Sequence, residues 1–517
     1  MAAPGAFYIT TPIYYVNDVP HIGHAYTSLA CDVMARFHRL DGKRVMFLTG
    51  TDEHGQKVEK SAQAAGMDPQ AFCDRVSQNF RDLSGLMGYS NDDFIRTTED
   101  RHVRACQALW RAVVAAGNDD IYLGKYAGWY SVRDEAFYGE DELVDSPAGK
   151  RAPSGAPVEW VEEPSYFFRL SAWQDRLLAF YDANPDFILP PARRNEVVSF
   201  VKSGLRDLSI SRTSFRWGIP VPDAPSHIMY VWFDALTNYI TAVGYPDMAG
   251  AAFSTFWPAT HIVGKDILRF HAVYWPAFLM AAGVAPPARV FAHGWWTVEG
   301  QKMSKSLGNF IPPHDLVAKY GLDPVRYFVL RELPFGADGD FSHRAVVNRL
   351  NGDLANDLGN LVQRVLSFIA KNGSGQVPNP SELAPEDEKL LAASAALHAT
   401  TRARIDRQEL HTALEEIWRV IGDANRYVDA QAPWTLRKTD PARMATVLYA
   451  LTDAIRRVAI VLQPFMPTAA GRILDQLAVP TGAARQLEAM GGAPKLVPGT
   501  ALPQPEGVFP RYVEAAA

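Results

Sequence analysis

Phe7-Tyr8-Ile9-Thr10, then His21-Ile22-Gly23-His24, then Val45-Met46-Phe47-Leu48-Thr49-Gly50 decide the fold. The first and last runs are short, apolar and β-rich, and read as buried strands. Between them Leu29, Val33, Phe37 and Leu40 recur at helical spacing over residues 26–40, and Asp41-Gly42 breaks that helix. Strand, helix and strand in this order start a βαβ unit, and so a parallel sheet.

Working outward, residues 56–84 are helical in pattern. Between about residues 116 and 225 the texture changes to Tyr, Trp, Pro and acidic residues in short runs with many turns, and residues 145–157 are nearly all small, Pro, Gly or charged. That stretch reads as an insertion. Ile262-Val263-Gly264 and Val290-Phe291-Ala292 again look like buried strands, with a helical stretch between them. The fold class is therefore α/β: a Rossmann-like catalytic domain in two halves, 1–116 and 227–306, split by an inserted connective domain, 117–226. A segment at 307–345 leads to a helix bundle at 346–517 that ends in a Pro-rich extension. From about residue 315 the pattern is almost wholly helical, with stripes at Leu358, Leu361, Val365 and Phe368 and at Leu410, Leu414, Ile417 and Ile421.

The totals set bounds. A chain of 517 residues suggests three or four units, at roughly 100 to 200 residues per domain. At 48% hydrophobic and 21% charged it is ordinary globular material, which excludes a disordered or fibrous protein. The net charge of -6 means that any nucleic-acid partner must be met by local basic patches. Cys31, Cys73 and Cys106 are too few and too scattered for a disulfide framework, and no CxxC pair occurs; a reducing cytosol fits. No signal peptide is visible. Residues 270–288 are uncharged apart from His271, but Pro276, Pro286 and Pro287 favour a buried helix and loop over a membrane span. The expectation is a cytoplasmic protein without a membrane partner.

Two motifs carry chemistry. In His21-Ile22-Gly23-His24 the imidazoles at i and i+3 face the same way, Gly23 lets a phosphate or nucleotide approach the backbone, and a helix N-terminus favours anions. Alone, two surface histidines beside a turn would look the same. In Lys302-Met303-Ser304-Lys305-Ser306, followed by Leu307-Gly308-Asn309, two ammonium groups three residues apart can grip a polyphosphate, with serine hydroxyls and backbone N–H groups as further donors. Alone, that is a solvated basic loop. Each motif goes with one half of the α/β domain, in the order that puts both at the C-terminal edge of a parallel sheet, where ligands bind in such folds.

Letter for letter these are HIGH and KMSKS, and the chain resembles the class I aminoacyl-tRNA synthetases. It is most similar to the methionyl-tRNA synthetase family, over nearly its whole length. Thr11-Pro12-Ile13-Tyr14-Tyr15-Val16-Asn17, Thr49-Gly50-Thr51-Asp52-Glu53-His54-Gly55 and Tyr230-Val231-Trp232-Phe233-Asp234-Ala235 look like that family's blocks. So do Gly264-Lys265-Asp266-Ile267, His293-Gly294-Trp295 and Gln431-Ala432-Pro433-Trp434.

The resemblance implies roles. Asp52 would bind the α-ammonium of methionine, a charge-assisted contact. Ile13, Tyr15, Trp232, Ala235, Leu236, Tyr239, Ile267, His271 and Trp275 would line the methionine pocket, where a thioether is held by shape and sulfur–aromatic contact; unassisted, they read as core aromatics. His21, His24, Lys302 and Lys305 would hold the ATP phosphates, together with Met303, Ser304 and Ser306. Gly23, Gly264 and Asp266 would contact the adenosine, and Arg212 would stand near the active site. The substrate carboxylate attacks the α-phosphorus, so positioning and charge stabilisation do the catalysis. Mg²⁺ would accompany ATP. Many relatives carry zinc knuckles in the insertion, but residues 118–226 contain no cysteine here, so no structural zinc and no other protein-bound metal is expected.

In the bundle, Asn360, Arg364 and Trp434 match the family's readers of the methionine anticodon: Arg and Asn on base edges, Trp stacked on a base. Arg402, Arg404, Arg407, Arg456 and Arg457 are candidates for phosphate contacts or, more simply, solvated faces. The implied partners are methionine, ATP and the initiator and elongator methionine tRNAs, without an obligate protein partner. A monomer is expected, because the family's appended dimerising domain is not found after the bundle. The competing readings are another class I synthetase, an RNA-binding protein on a dead synthetase fold, and a small-molecule nucleotidyltransferase that uses no tRNA.

Overall fold

The computed structural model describes residues 5–16, 19–147, 149–298, 300–302, 310–492 and 495–514. Asn17, Met303, Ser304, Lys305, Ser306, Leu307, Gly308 and Asn309 lie outside them, as does the side chain of Lys302. The chain forms two compact units, one from Met1–Pro20 and Val45–His293 and one from His21–Arg44 and Gly294–Ala517.

The first unit is built on a sheet of seven strands among the described residues. Its order is Ile188–Leu189, Arg289–His293, Thr260–Gly264, Ala6–Thr10, Arg44–Asp52 and Tyr14–Tyr15, with Asp93–Arg96 also paired to Arg44–Asp52. The pairings are parallel, with Ile9 opposite Thr260, Val263 opposite Ala292 and Leu48 opposite Asp93. Strands from the two sequence halves thus lie side by side at Ala6–Thr10 and Thr260–Gly264. Such a reversal of strand order opens a ligand crevice beyond the strands' C-terminal ends. One core cluster runs from Tyr8 through Ile95, Leu109 and Phe168 to Trp275 and Val290.

The insertion departs from the short runs expected of it. Ile121–Ser131 and Glu159–Phe168 form a long antiparallel ladder, in register from Ile121 opposite Phe168 to Tyr130 opposite Glu159. Ala136–Tyr138 and Leu208–Ser209 extend it on either side. The Tyr and Trp residues that obscured the strand pattern form cross-strand pairs, such as Trp129 with Trp160 at 5.4 Å. Residues 270–288 hold a π-helical turn, Phe270–Tyr274, running into the buried helix Trp275–Ala281. Among the described residues no helix is long and apolar enough to cross a membrane.

In the second unit the helix Ile22–Leu40 begins at the HIGH motif, four residues before the sequence spacing starts it. Asp32 and Arg326 are both wholly buried, and their ion pair at 2.7 Å ties this helix to the helix Leu322–Arg331. Arg326 also donates to the carbonyls of Phe465 and Pro464, both at 2.9 Å. Beyond residue 315, where an almost wholly helical pattern is expected, Gly339–Phe341 is a strand, parallel to Trp296–Val298, which also pairs antiparallel with Gln301–Lys302. Beyond it come Asn360–Asn372, Pro385–Asp406, Leu410–Gln431, Pro433–Thr439, Pro441–Leu462 and Pro467–Gln476, the expected bundle. Two of the surface arginines are a correction. Arg456 and Arg457 are buried, share Asp453 and donate to the carbonyls of Ala489, Leu391 and Gly492, because Pro441–Leu462 is the bundle's central helix. Arg402, Arg404 and Arg407 do lie at the surface, in ion pairs with Asp41, Glu409 and Glu416.

Candidate functional site

In the first unit, Val231–Thr241 is buried at every position, so it presents side chains on all faces and not along one stripe. It supplies Trp232, Ala235, Leu236 and Tyr239. Trp232 stacks on Phe270 with 3.8 Å between centroids and 7° between planes. The Tyr239 hydroxyl bonds His271 Nε2 at 2.7 Å, and His271 Nδ1 lies 2.9 Å from the Ile267 carbonyl. That carbonyl accepts the Nδ1 proton, so Nε2 accepts the tyrosine proton and the ring is neutral. Burial holds His271 down at about 4, which agrees. Trp275 is wholly buried, with its ring centroid 6.2 Å from that of Tyr239. The indole nitrogens of Trp232 and Trp275 have no hydrogen-bond partner, which is costly in a closed interior. Ile13, Tyr15 and Ile267 pack partly buried against the same cluster. The structure thus brings Trp232, Tyr239, His271 and Trp275 into mutual ring contact, and Ile13, Tyr15, Leu236 and Ile267 belong to or pack against the same large core cluster, with Ala235 buried on the same helix as Trp232.

Asp52 ends the strand Arg44–Asp52, in register with Tyr15. It is buried, and Oδ1 has no partner. Burial, and then the charges of Asp234, Glu135 and Glu53, push its carboxyl well above the usual range. A cation placed beside a buried, under-bonded carboxyl of this kind would restore its charged form.

Asp234, which lies in the block Tyr230-Val231-Trp232-Phe233-Asp234-Ala235 with no role implied for its side chain, anchors the helix. One oxygen bonds His54 Nδ1 at 2.7 Å and the other His102 Nε2 at 2.7 Å. Burial alone would raise this carboxyl, but the two imidazoles override it and hold it at about 2. His102, Cys106 and Asp234 have ligand atoms within 4.8 Å of one another. At 2.7 Å the His102–Asp234 pair is a hydrogen bond, and the Cys106 thiol is pushed well up by burial, so the cluster reads as a proton-bonded anchor. No role for the side chains of His54 and His102 is readable in the sequence, since no local pattern joins residues 180 and 132 positions apart.

The strand Thr260–Gly264 ends at Gly264, and Asp266 lies exposed in the turn Lys265–Ile267. Arg212 is buried in the insertion's own sheetwork. It is paired to Glu163, donates to Ser214 at 3.1 Å, and lies 4.1 Å over the Tyr130 ring. Its Nη1 has no partner.

In the second unit the HIGH residues make a capping box out of imidazoles. The Gly23 N–H donates to His21 Nδ1 at 3.0 Å, and the His21 N–H donates to His24 Nδ1 at 3.1 Å. Each Nδ1 is an acceptor, so each neutral ring carries its proton on Nε2. Burial and the neighbouring His21 hold His24 well below its ordinary value. The rings lie 3.9 Å apart. Position 23 must be glycine, because a Cβ there would sit 2.8 Å from His21 Cε1. The result is a helix N-terminus dressed with two neutral N–H donors, a fit for polyphosphate.

In the bundle Asn360 is exposed at the start of its helix and Trp434 is 45% exposed. Arg364 is half-buried, pairs with Asp429 at 2.8 Å, and keeps an unbonded Nε. Ala432, in the left-handed conformation, ends the helix Leu410–Gln431 and turns the chain into the helix that carries Trp434.

Comparison with known proteins gives the following. A family model described as class I tRNA synthetases (M) matches residues 7–152 and 149–366. One described as the anticodon-binding domain of methionyl tRNA ligase matches residues 377–516. The chain is 58% identical over 509 residues to a methionine–tRNA ligase of Mesorhizobium japonicum, covering 98% of each chain. It is 59% identical over 511 residues to one of Brucella suis, again covering 98% of each. Its fold matches that of Mycobacterium tuberculosis methionyl-tRNA synthetase in complex with methionyl-adenylate, with a TM-score of 0.95 and 54% identity, over 98% of this chain and 100% of that one.

Proposed function

The chain belongs to the methionine–tRNA ligases, a class I aminoacyl-tRNA synthetase family, and from that premise we propose how its own residues carry the reaction. The enzyme activates L-methionine with ATP, forming methionyl-adenylate and pyrophosphate. It then transfers the methionyl group to the 3′ end of methionine tRNA, initiator and elongator alike. The single observation that supports the substrate assignment is the buried cluster of Trp232, Tyr239, His271 and Trp275 in the same unit as the under-bonded Asp52, whose strand partner Tyr15 packs against the same core.

In this reading Asp52 receives the α-ammonium, and Ile13, Tyr15, Ala235, Leu236 and Ile267 complete an apolar sleeve for the thioether. His271 is neutral and bonded on both nitrogens, so it presents no cation to repel the substrate. His21 and His24 offer Nε2 protons to phosphate oxygens, and Gly23 keeps the backbone accessible. Lys302 and Lys305, with Met303, Ser304 and Ser306, supply the positive charge and hydrogen-bond donors that a pentacoordinate α-phosphorus requires. Gly264 and Asp266 face the nucleoside. Arg212 steadies the insertion through Glu163 and Tyr130. Mg²⁺ enters as part of the nucleotide complex, held by phosphates and water. No structural zinc is needed: the segment that would hold a knuckle lacks cysteine, and its turn is closed by Ser131, Asp134, Tyr138 and Ser154.

Residues 117–226 act as the connective insertion, 307–345 as the stem-contacting segment and 346–517 as the anticodon reader, through Asn360, Arg364 and Trp434. The enzyme works as a cytoplasmic monomer. The deciding experiment is ATP–pyrophosphate exchange with each amino acid in turn, followed by charging of methionine tRNA. Exchange with methionine together with charging supports the proposal. Exchange with another amino acid alone, or none with any, refutes it.

A further inference from the structure

Glu135 lies in the turn between Ile121–Ser131 and Ala136–Tyr138 and is 1% exposed. Its φ of 49° is left-handed, an uncommon state for a residue with a side chain, and the Tyr230 hydroxyl donates to its carbonyl at 2.9 Å. Neither carboxylate oxygen has a partner in hydrogen-bonding geometry. Gly55 makes room for this side chain: its φ is 106°, and a Cβ there would sit 2.6 Å from Glu135 Oε1. The insertion therefore drives a carboxylate into the interior beside the Asp52–Gly55 loop, and the fold accepts backbone strain to do so.

Asp52 is the other under-bonded carboxylate of this region, and the Tyr15 hydroxyl feels the charge of both. The groups facing Glu135 are Tyr15, the Lys57 N–H and ammonium, Arg212, Tyr130 and Tyr230. Those facing Asp52 are Glu53, Asp234 and the His54 N–H. Lys57 Nζ is engaged by the Arg133 carbonyl at 3.2 Å and lies 4.9 Å over the Tyr15 ring; Arg212 is committed to Glu163. Two carboxylates in one dry region cannot both ionise at ordinary cost unless a cation joins them. The cation that the site is built to admit is an α-ammonium.

We propose that Glu135 is a second carboxylate of the site that receives the α-ammonium, and that the Asp52–Glu135 pair holds a proton in the ligand-free enzyme and gives it up to solvent when the ammonium enters. This rests on the reading of Asp52 given above. One carboxyl O–H bond breaks, the proton passes to buffer, and the pair titrates as a unit. Burial raises the Glu135 carboxyl to about 7, so the exchange falls within the working pH range.

The test is calorimetry of methionine binding to the full-length enzyme at pH 7, in buffers of low and high ionisation enthalpy. The wild type should release a measurable fraction of a proton, up to about one, per methionine. Glu135→Gln should bind methionine but release little or none, and its affinity should lose the rise between pH 6 and 8 that the wild type shows. Its melting temperature at pH 7.5 should be no lower than that of the wild type, which shows that the variant is folded. Proton release by Glu135→Gln equal to that of the wild type, or none by the wild type, overturns the proposal. Full methionine affinity in Asp52→Ala instead overturns the underlying assignment of the ammonium site.

Discussion

Replacing Trp434 by alanine separates tRNA recognition from amino-acid activation. The ring is 45% exposed at the start of the helix Pro433–Thr439. A tryptophan that buries up to about 250 Å² therefore leaves roughly 110 Å² available, about 2.8 kcal/mol at 25 cal/mol per Å² if an unpaired base covered it all. The general range for loss of one stacked base is about 1 to 3 kcal/mol, or about 5- to 150-fold in tRNA affinity. Arg364 sits in the same bundle, held by Asp429 in a half-exposed ion pair worth at most about 1 kcal/mol, which a base edge can readily replace. Arg364→Ala should accordingly relax discrimination at one anticodon position. In the Trp434→Ala protein, aminoacylation at limiting tRNA should fall by the factor above, while methionine-dependent pyrophosphate exchange without tRNA stays near normal. The melting temperature should move little, since the ring is not a core side chain. A stably folded Trp434→Ala enzyme that charges tRNA normally would refute the assignment. Loss of both activities together with a large drop in melting temperature would show a packing residue.

The remaining predictions address the two units separately. Asp52→Ala should weaken methionine binding in calorimetry as well as exchange, because the ammonium is present in both ground and transition states; unchanged affinity removes the role. Lys305→Ala should slow exchange by about two to three orders of magnitude with methionine affinity unchanged, the usual cost of one charge-stabilising donor; exchange at the wild-type rate would refute it. Arg326→Met removes the wholly buried partner of Asp32, leaves it the partly exposed Arg36 at 2.8 Å, and should cost up to about 3 kcal/mol in chemical denaturation; an unchanged midpoint would show that the pair contributes nothing. Asp234 is depressed from 3.8 to about 2, so its contribution of about 2 kcal/mol is fully present above pH 4 and lost as pH falls towards 2. Asp234→Asn should therefore lower stability at neutral pH and flatten the acid limb of the urea-midpoint curve, and a curve parallel to the wild type counts against it.

Much of this architecture was legible because its signals are local. The βαβ start needs only two apolar runs, one 3.6-residue stripe and Asp41-Gly42 as a breaker, and the bundle stripes at Leu358–Val365 and Leu410–Ile421 are equally plain. The apolar stripe alone starts the first helix at residue 26, because its cap is histidine, outside the usual Ser, Thr, Asp and Asn set, whereas the motif His21–His24 already marks a helix N-terminus. The insertion's ladder was hidden because its strands are partly exposed on both faces and carry Gly124 and Gly128, which blur the alternation. The short strand Gly339–Phe341 exists only through its partner Trp296–Val298. The candidate site divides in the same way. Motif residues could be named from their spacing, while Glu135, His54, His102 and Phe270 depend on contacts across the sequence, and the buried Arg456 and Arg457 on which helix ends up central.

The sheet order also sets a schedule for synthesis. Ala6–Thr10 gains Arg44–Asp52 as a neighbour early, but its other partner, Thr260–Gly264, lies about 250 residues further along the chain. At about 5 to 20 residues per second, the ribosome needs roughly 12 to 50 seconds to deliver that strand. For that interval the nascent chain carries an open, apolar β edge while the whole insertion is made and folds on its own antiparallel ladder. A slowed ribosome lengthens the exposure and a chaperone that covers strand edges shortens its consequences. Translation speed between residues 53 and 264 therefore sets how long that edge waits for its strand.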